Sequence, residues 1–261
     1  VADNQSIEGF RFSNVYVHDV FPTPTALEHQ HKGYGIKIET QSDLTIDSAH
    51  LANDIHFSGL AIARPGHYGI WIKSLGLNQN DAFKNQFVTM ESCDFDNTGG
   101  AGFVPNKSEF VLVENCTFNH SGSSVDPRMW KRGSGMWPFD CRNVVAQHNH
   151  FLNAHGPIDS YGAHIDYGNE NLVFQYNLSY NNEGGFVEIL GDNINCGYRY
   201  NISINDGYRI DPEGVHNGRT YNVSDYCGVN NAGCPSVGSF IYNNTIFIGD
   251  TIHPEIRIKP E

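Results

Sequence analysis

The chain has 261 residues, 39% of them hydrophobic, with 27 glycines and a formal charge of −13 at pH 7. That length allows one large domain with a substantial core, and so negative a charge argues against nucleic acid, which is held through clustered Lys and Arg. No apolar run approaches the roughly 18 residues of a membrane-spanning helix, so no membrane partner is expected.

The opening "VADNQSIEG" lacks an initiator Met and a basic-then-apolar leader, which reads as a trimmed start; a secreted or periplasmic protein is expected. "FRFSNVYVHD" follows, and its frame returns along the chain in "FVTMESCDFDN", "FVLVENCTFNHSG", "VVAQHNHFLNAHG", "LVFQYNLSYNNEGG", "CGYRYNISINDG" and "FIYNNTIFIG". The four copies from "FVLVENCTFNHSG" to "CGYRYNISINDG" each have an apolar strand, an Asn (Asn115, Asn149, Asn177, Asn201), a short strand and a second Asn (Asn119, Asn153, Asn181, Asn205), while the other three are degenerate, with Ser92 in place of the first Asn in "FVTMESCDFDN". A Gly-rich turn then leads to a third short strand: "YGIKIE", "YGIWIK", "GFVP", "GMWPF", "GAHID", "GFVEI" and "YRID". Three strands per period of about 22 to 34 residues, without helical spacing, predict an all-β parallel β-helix whose coils bury their apolar faces only by stacking. The Asn columns are expected to form a ladder at the bends, and their burial to block the sequons at Asn115, Asn177 and Asn201. Long turns at 74–86, 120–134 and 212–238 are expected to wall a groove. Residues 1–261 read as a single domain. No end caps are evident, so the chain is expected to be part of a larger protein or to associate through its ends.

None of the six cysteines has zinc-site spacing. Cys227 and Cys234 flank the excursion "CGVNNAGC", which could close as a disulfide, whereas Cys93 and Cys116 occupy equivalent positions and are expected to be stacked, buried thiols.

Side chains alternate along a strand, so the third strands should carry two outward columns. One reads Lys37, Trp71, Phe103, Met136 or Trp137, His164, Phe186, Arg209; the other reads Glu39, Lys73, Pro105, Asp140, Asp166, Glu188, Asp211. The register at "GSGMWPFDC" is open, since Trp137 and Asp140 cannot both face outward without a bulge. Asp166, Glu188 and Asp211 would stand in file about 4.8 Å apart, where like charges repel and raise a pKa. A solvated acidic face or a calcium site would also account for such a file. The aromatics favour chemistry: Trp71, Phe103, Trp137 and Phe186 suit a platform for sugar rings. Lys73, Asp140, His164 and Arg209 are the polar candidates for substrate contact.

In its coil frame the chain resembles the right-handed parallel β-helix superfamily of polysaccharide-active enzymes, the pectate-lyase-like fold. Within that superfamily it looks similar to β-helical glycoside hydrolases such as the family 120 β-xylosidases, which place a catalytic Asp and Glu on successive rungs. The resemblance implies a glycosidase with Asp166 as nucleophile and Glu188 as general acid/base. Neighbouring rungs at about 5 Å would suit a retaining mechanism, with Asp211 keeping Glu188 protonated or orienting it. No cofactor is required and no metal ligand is assigned, with calcium the one ion the carboxylates could hold. A polysaccharide lyase or uronate epimerase using His164, Tyr161, Arg209 and Lys73 is the alternative. A non-catalytic glycan-binding β-helix is a further one.

Overall fold

The computed structural model describes residues 6–22, 32–41, 51–75, 84–210, 216–228 and 233–259. Among these every regular element is a strand, and no helix is long and apolar enough to cross a membrane. One parallel sheet stacks Ile7–Ser13, Ala52–Ser58, Asn85–Glu91, Ser108–Glu114, Arg142–Gln147, Glu170–Gln175, Gly197–Arg199 and Phe240–Tyr242. A second, equally long sheet stacks the short strands from Tyr16–His18 to Thr245–Phe247. The third face is made in two pieces, Ile36–Gln41, Ile70–Leu75 and Phe103–Pro105, then Gly185–Ile189, Arg219–Val223 and Glu255–Ile258. Single bridges through Met136, Ala163, Tyr161 and Ile165 join them. The all-β parallel β-helix read from the repeats is therefore the fold.

The core is a file of like residues down each sheet. Phe95, Phe118 and Phe151 stack face to face, with ring centroids 4.8 and 5.0 Å apart. Glycines at the entry to the third face make room for these rings. A Cβ on Gly69 would meet the Phe95 ring at 2.6 Å, and one on Gly102 the Phe118 ring at 2.5 Å. In the next coils the second-sheet position becomes Ser179, and the slot of Gly162 becomes Phe186. Phe186 thus turns inward to fill the space that serine leaves, packing on Tyr198 at 5.8 Å.

The buried ladder runs through Asn149, Asn177, Asn201 and Asn244. Asn149 Nδ2 donates to Asn177 Oδ1 (3.1 Å), Asn177 Nδ2 to Asn201 Oδ1 (3.0 Å) and Asn201 Nδ2 to Asn244 Oδ1 (2.9 Å). Cys116, not Asn115, holds this position in its coil, its N–H reaching Asn149 Oδ1 at 2.9 Å. Asn115 is exposed, so the expected burial fails for that sequon and holds for those at Asn177 and Asn201. The second Asn column serves another purpose. Asn153, Asn181 and Asn205 adopt φ of 54–55° at the bend after the second sheet, a left-handed conformation that Asn tolerates better than most residues. Asn119 precedes that bend, which in its coil is made by His120.

A further ladder carries an acid. Asp206 Oδ1 accepts from the N–H and Nδ2 of Asn182, and its Oδ2 accepts from Ser203 Oγ at 2.6 Å. Cys227 and Cys234 form the disulfide that their spacing left open. Cys93 and Cys116 are buried free thiols, with the Cys93 N–H 3.4 Å from Cys116 Sγ.

Candidate functional site

The third-face register differs from the sequence expectation in a way that rebuilds the site. Ile165 pairs with Ile189, so His164, not Asp166, stands beside Glu188. Glu188 in turn pairs with Asn222, so the strand "RTYNV" supplies the next rung in place of "YRID". Asp211 lies outside the described residues, and the slot expected for it belongs to Asn222. Phe103 pairs with Ile70 and Met136 and is fully buried, which leaves Val104 in the outward file beside Trp71 and Trp137. Phe103 and Phe186 are therefore core residues, not parts of a sugar platform. The outward file reads Lys37, Trp71, Val104, Trp137, His164, Glu188, Asn222, Arg257.

His164 is the hub. It is 4% exposed and lies under Trp137, whose ring stacks within 9° of it. Its Nε2 is 3.9 Å from Asp166 Oδ2, and its Nδ1 is 3.6 Å from Glu188 Oε2 and 3.0 Å from Ser134 Oγ. Ser134 is held in place by the Tyr161 N–H at 3.2 Å. Burial lowers the His164 pKa, but Asp166 and the charges of Glu188 and Asp159 outweigh it, so the imidazolium is favoured. Glu188 moves the other way. Burial, with Asp159 and Asp166 adding to it, pushes its carboxyl up to about 7 against the opposing pull of His164 and Asn222. Asn222 Nδ2 donates to Glu188 Oε1 at 2.7 Å. Asp166 accepts the Tyr167 N–H at 2.8 Å, and its side chain is 14% exposed.

Two cavities adjoin the hub. The first, about 440 Å³, is lined by Trp71, Lys73, Val104, Trp137, Phe139, Asp140, Asp166 and Tyr167 among others. Here the structure does bring Trp71, Lys73, Trp137, Asp140 and Asp166 together. Lys73 lies 4.8 Å over the Trp71 ring, and Tyr34, Tyr68 and Trp130 extend the aromatic cluster. Asp140 is nearly buried, with Oδ1 engaged by Lys84 Nζ at 2.9 Å, so its role is first a structural one. The second cavity, about 670 Å³, is lined by Glu188, Asn222, Asp159, Arg132, Arg219 and Arg257 among others.

Arg209 does not reach either cavity. Its guanidinium donates to the carbonyls of Gly156, Ile158 and Asp159 and to Glu183, tying down the turn before the third face. Tyr161 is fully buried, and burial together with the Glu188 charge holds its phenol well above its usual range. Asp159 escaped the sequence reading because it sits in that irregular turn, outside any strand pattern. It pairs with Arg132 at 2.7 Å, and its charge acts on His164, Glu188 and Tyr68. Ser134, Asn222 and Arg219 escaped it too, since only the folded register places them here. No group of three or more metal-ligating side chains occurs among the described residues.

The right handed beta helix region family matches residues 1–253. A lacto-N-biosidase of Bifidobacterium longum subsp. longum is 32% identical over 122 residues, covering 44% of this chain and 6% of that protein. The GH136 lacto-N-biosidase from Eubacterium ramulus superposes with a TM-score of 0.52 at 17% identity, over 90% of this chain and 49% of that one. The enzymatically active domain of bacteriophage CBA120 tailspike protein 2 gives 0.50 at 14% identity, over 92% of this chain and 35% of that one. The tailspike of E. coli bacteriophage HK620, solved with a pentasaccharide, gives 0.52 at 10% identity, over 95% and 44%. The chain thus spans less than half the length of each of these relatives. At these identities the superpositions speak for the fold.

Proposed function

The chain belongs to the right handed beta helix region family, and from that premise we propose that it is a glycosidase cleaving a poly- or oligosaccharide at the carboxylates around His164. The observation that carries this reading is a buried Glu188 with a pKa of about 7 facing the same imidazole as Asp166, beside a tryptophan-lined cavity. The partial match to a lacto-N-biosidase supports glycan hydrolysis as the class of reaction. A secreted or periplasmic location is part of the proposal, supported by the disulfide.

In this reading Trp71 and Trp137 hold a sugar ring by stacking. Glu188, protonated near neutrality, delivers its proton to the leaving oxygen, and Asp166 takes a proton from the water that attacks the anomeric carbon. His164 fixes both carboxyls. An imidazole interposed between two carboxylates spaces them more widely than direct rung neighbours, which suits an inverting attack by water better than double displacement at about 5 Å. No cofactor is invoked.

A second reading exchanges one residue. The Asp159 side chain is 24% exposed against 9% for Glu188, so Asp159 is the easier of the two for a sugar oxygen to touch. Asp159 and Asp166 would then do the chemistry, with Glu188 tuning His164 from beneath. The lyase or epimerase alternative loses support, because Tyr161 is enclosed and Arg209 is occupied by backbone carbonyls.

Reducing-end release from oligosaccharides by Asp166→Asn, Glu188→Gln and Asp159→Asn proteins tests the assignment. Losses of about a thousandfold or more in the first two support the first reading. Such a loss in Asp159→Asn, with Glu188→Gln nearly intact, supports the second. Products absorbing as unsaturated uronates, or glycan bound and left uncut, would sink both.

A further inference from the structure

The surroundings of Arg219 are not explained by the hydrolytic chemistry. It lies on the rung beyond Glu188 and is 7% exposed. Among the described residues its Nε is buried without a hydrogen-bond partner, and Glu255 Oε2 stands 3.8 Å from it while the other Glu255 oxygen is held by Asn217. Arg209, equally buried, donates to three carbonyls and a carboxylate. A guanidinium presents five donors, and enclosing one with a donor left unmet is costly unless an acceptor comes to it.

Arg219 lines the 670 Å³ cavity together with Arg132, Arg257 and Lys259. Arg132 and Lys259 are matched by Asp159 at 2.7 Å and Asp225 at 2.6 Å. Arg257 is exposed, stands level with Asn222 on the last rung, and has no ion pair or side-chain hydrogen bond among the described residues. Arg219, whose ion pair to Glu255 is a long 3.8 Å, and Arg257, which has none among the described residues, therefore face one cavity that Glu188 also lines.

We infer that this cavity is a subsite for an anionic sugar substituent, a carboxylate or a sulfate ester, bound by Arg219 and Arg257 next to the scissile linkage. The inference rests on the glycosidase reading for the placement of substrate in the groove, and it narrows the substrate class. The overall negative charge does not forbid it, since at physiological salt charges beyond about 8 Å are largely screened and the local cations decide.

Calorimetric titration with glucuronic acid, a sulfated N-acetylglucosamine and glucose tests the proposal on the wild-type, Arg257→Gln and Arg219→Gln proteins. One of the anionic sugars should bind at least about tenfold more tightly than glucose, and the advantage should vanish in Arg257→Gln. Which anionic sugar binds distinguishes a carboxylate from a sulfate ester. Arg257 is exposed, so its variant keeps the test open should Arg219→Gln fail to fold by circular dichroism. Equal affinity for all three sugars, or an advantage surviving the Arg257 substitution, overturns the inference. Because binding is read without cleavage, that outcome leaves hydrolysis standing. Conversely, anion preference in a protein that cuts nothing would sink the glycosidase reading alone.

Discussion

His164 and Glu188 stand side by side on adjacent rungs, with Nδ1 3.6 Å from Oε2 and neither side chain more than 9% exposed. A buried imidazole and a buried carboxyl in contact share their proton balance, so the pH response of the site belongs to the pair.

Activity should fall as pH rises through about 7, because Glu188 loses its proton there. The same group affects stability. Its folded pKa is raised from 4.5, so stability declines as pH rises from about 4.5 to about 7 and stays reduced above that. Glu188→Gln should abolish the alkaline limb of residual activity and flatten melting temperature against pH across this window. An unchanged alkaline limb in the variant would remove Glu188 from the mechanism.

Asp206 offers a cleaner case, away from the site. Burial pushes its carboxyl from 3.8 up to about 6, against the hydrogen bonds from Ser203, Ser179 and Asn182. Stability should therefore decline between about pH 4 and 6, and Asp206→Asn should recover on the order of 1–3 kcal/mol above pH 6. Urea melts of both proteins at pH 4 and pH 8 measure the difference, which should be small at the lower pH.

Asn177→Ala should be strongly destabilising. Asn177 Oδ1 accepts from the backbone N–H of Asn149, and its Nδ2 donates to the Ala146 carbonyl and to Asn201. Removing the amide strands buried backbone groups, at a cost of roughly 2–4 kcal/mol. Chemical denaturation followed by circular dichroism reads this directly, whereas exposed Asn115→Ala should cost only about 1 kcal/mol, the strain of alanine at the Asn115 φ of 55°.

Trp71→Ala should raise KM about tenfold and leave kcat nearly unchanged, because Trp71 lines the first cavity three rungs from His164. Trp137→Ala should lower kcat as well, since its ring covers His164. Steady-state kinetics on one oligosaccharide separate the two effects.

The winding of the chain was legible in the repeat of Asn and short apolar strands, and so was the disulfide. The rung register was not. "GAHID" and "GFVEI" were aligned two residues out, and a slip of two preserves the alternation of inward and outward side chains. Hydrophobic pattern cannot sense it. At "GFVP" the error was one residue, which turns the strand over and sent Phe103 inward. Phe186 misled for a different reason: it compensates for Ser179 on another sheet, a relationship between residues that only folding brings together. Asn222 took the rung expected for Asp211 because the next third-face strand begins only at Arg219. Asp166 and Glu188 still converge on one site, although through His164 instead of directly.

Along the third face Glu188 pairs with Asn222 and Asn222 with Arg257. In a solenoid each rung leans on its immediate neighbours, so a local disturbance fades with every rung it must cross. Arg257 stands two rungs from Glu188 and three from His164. A change at Arg257 should therefore alter the grip on a ligand and leave the proton balance of the His164 pair where it was.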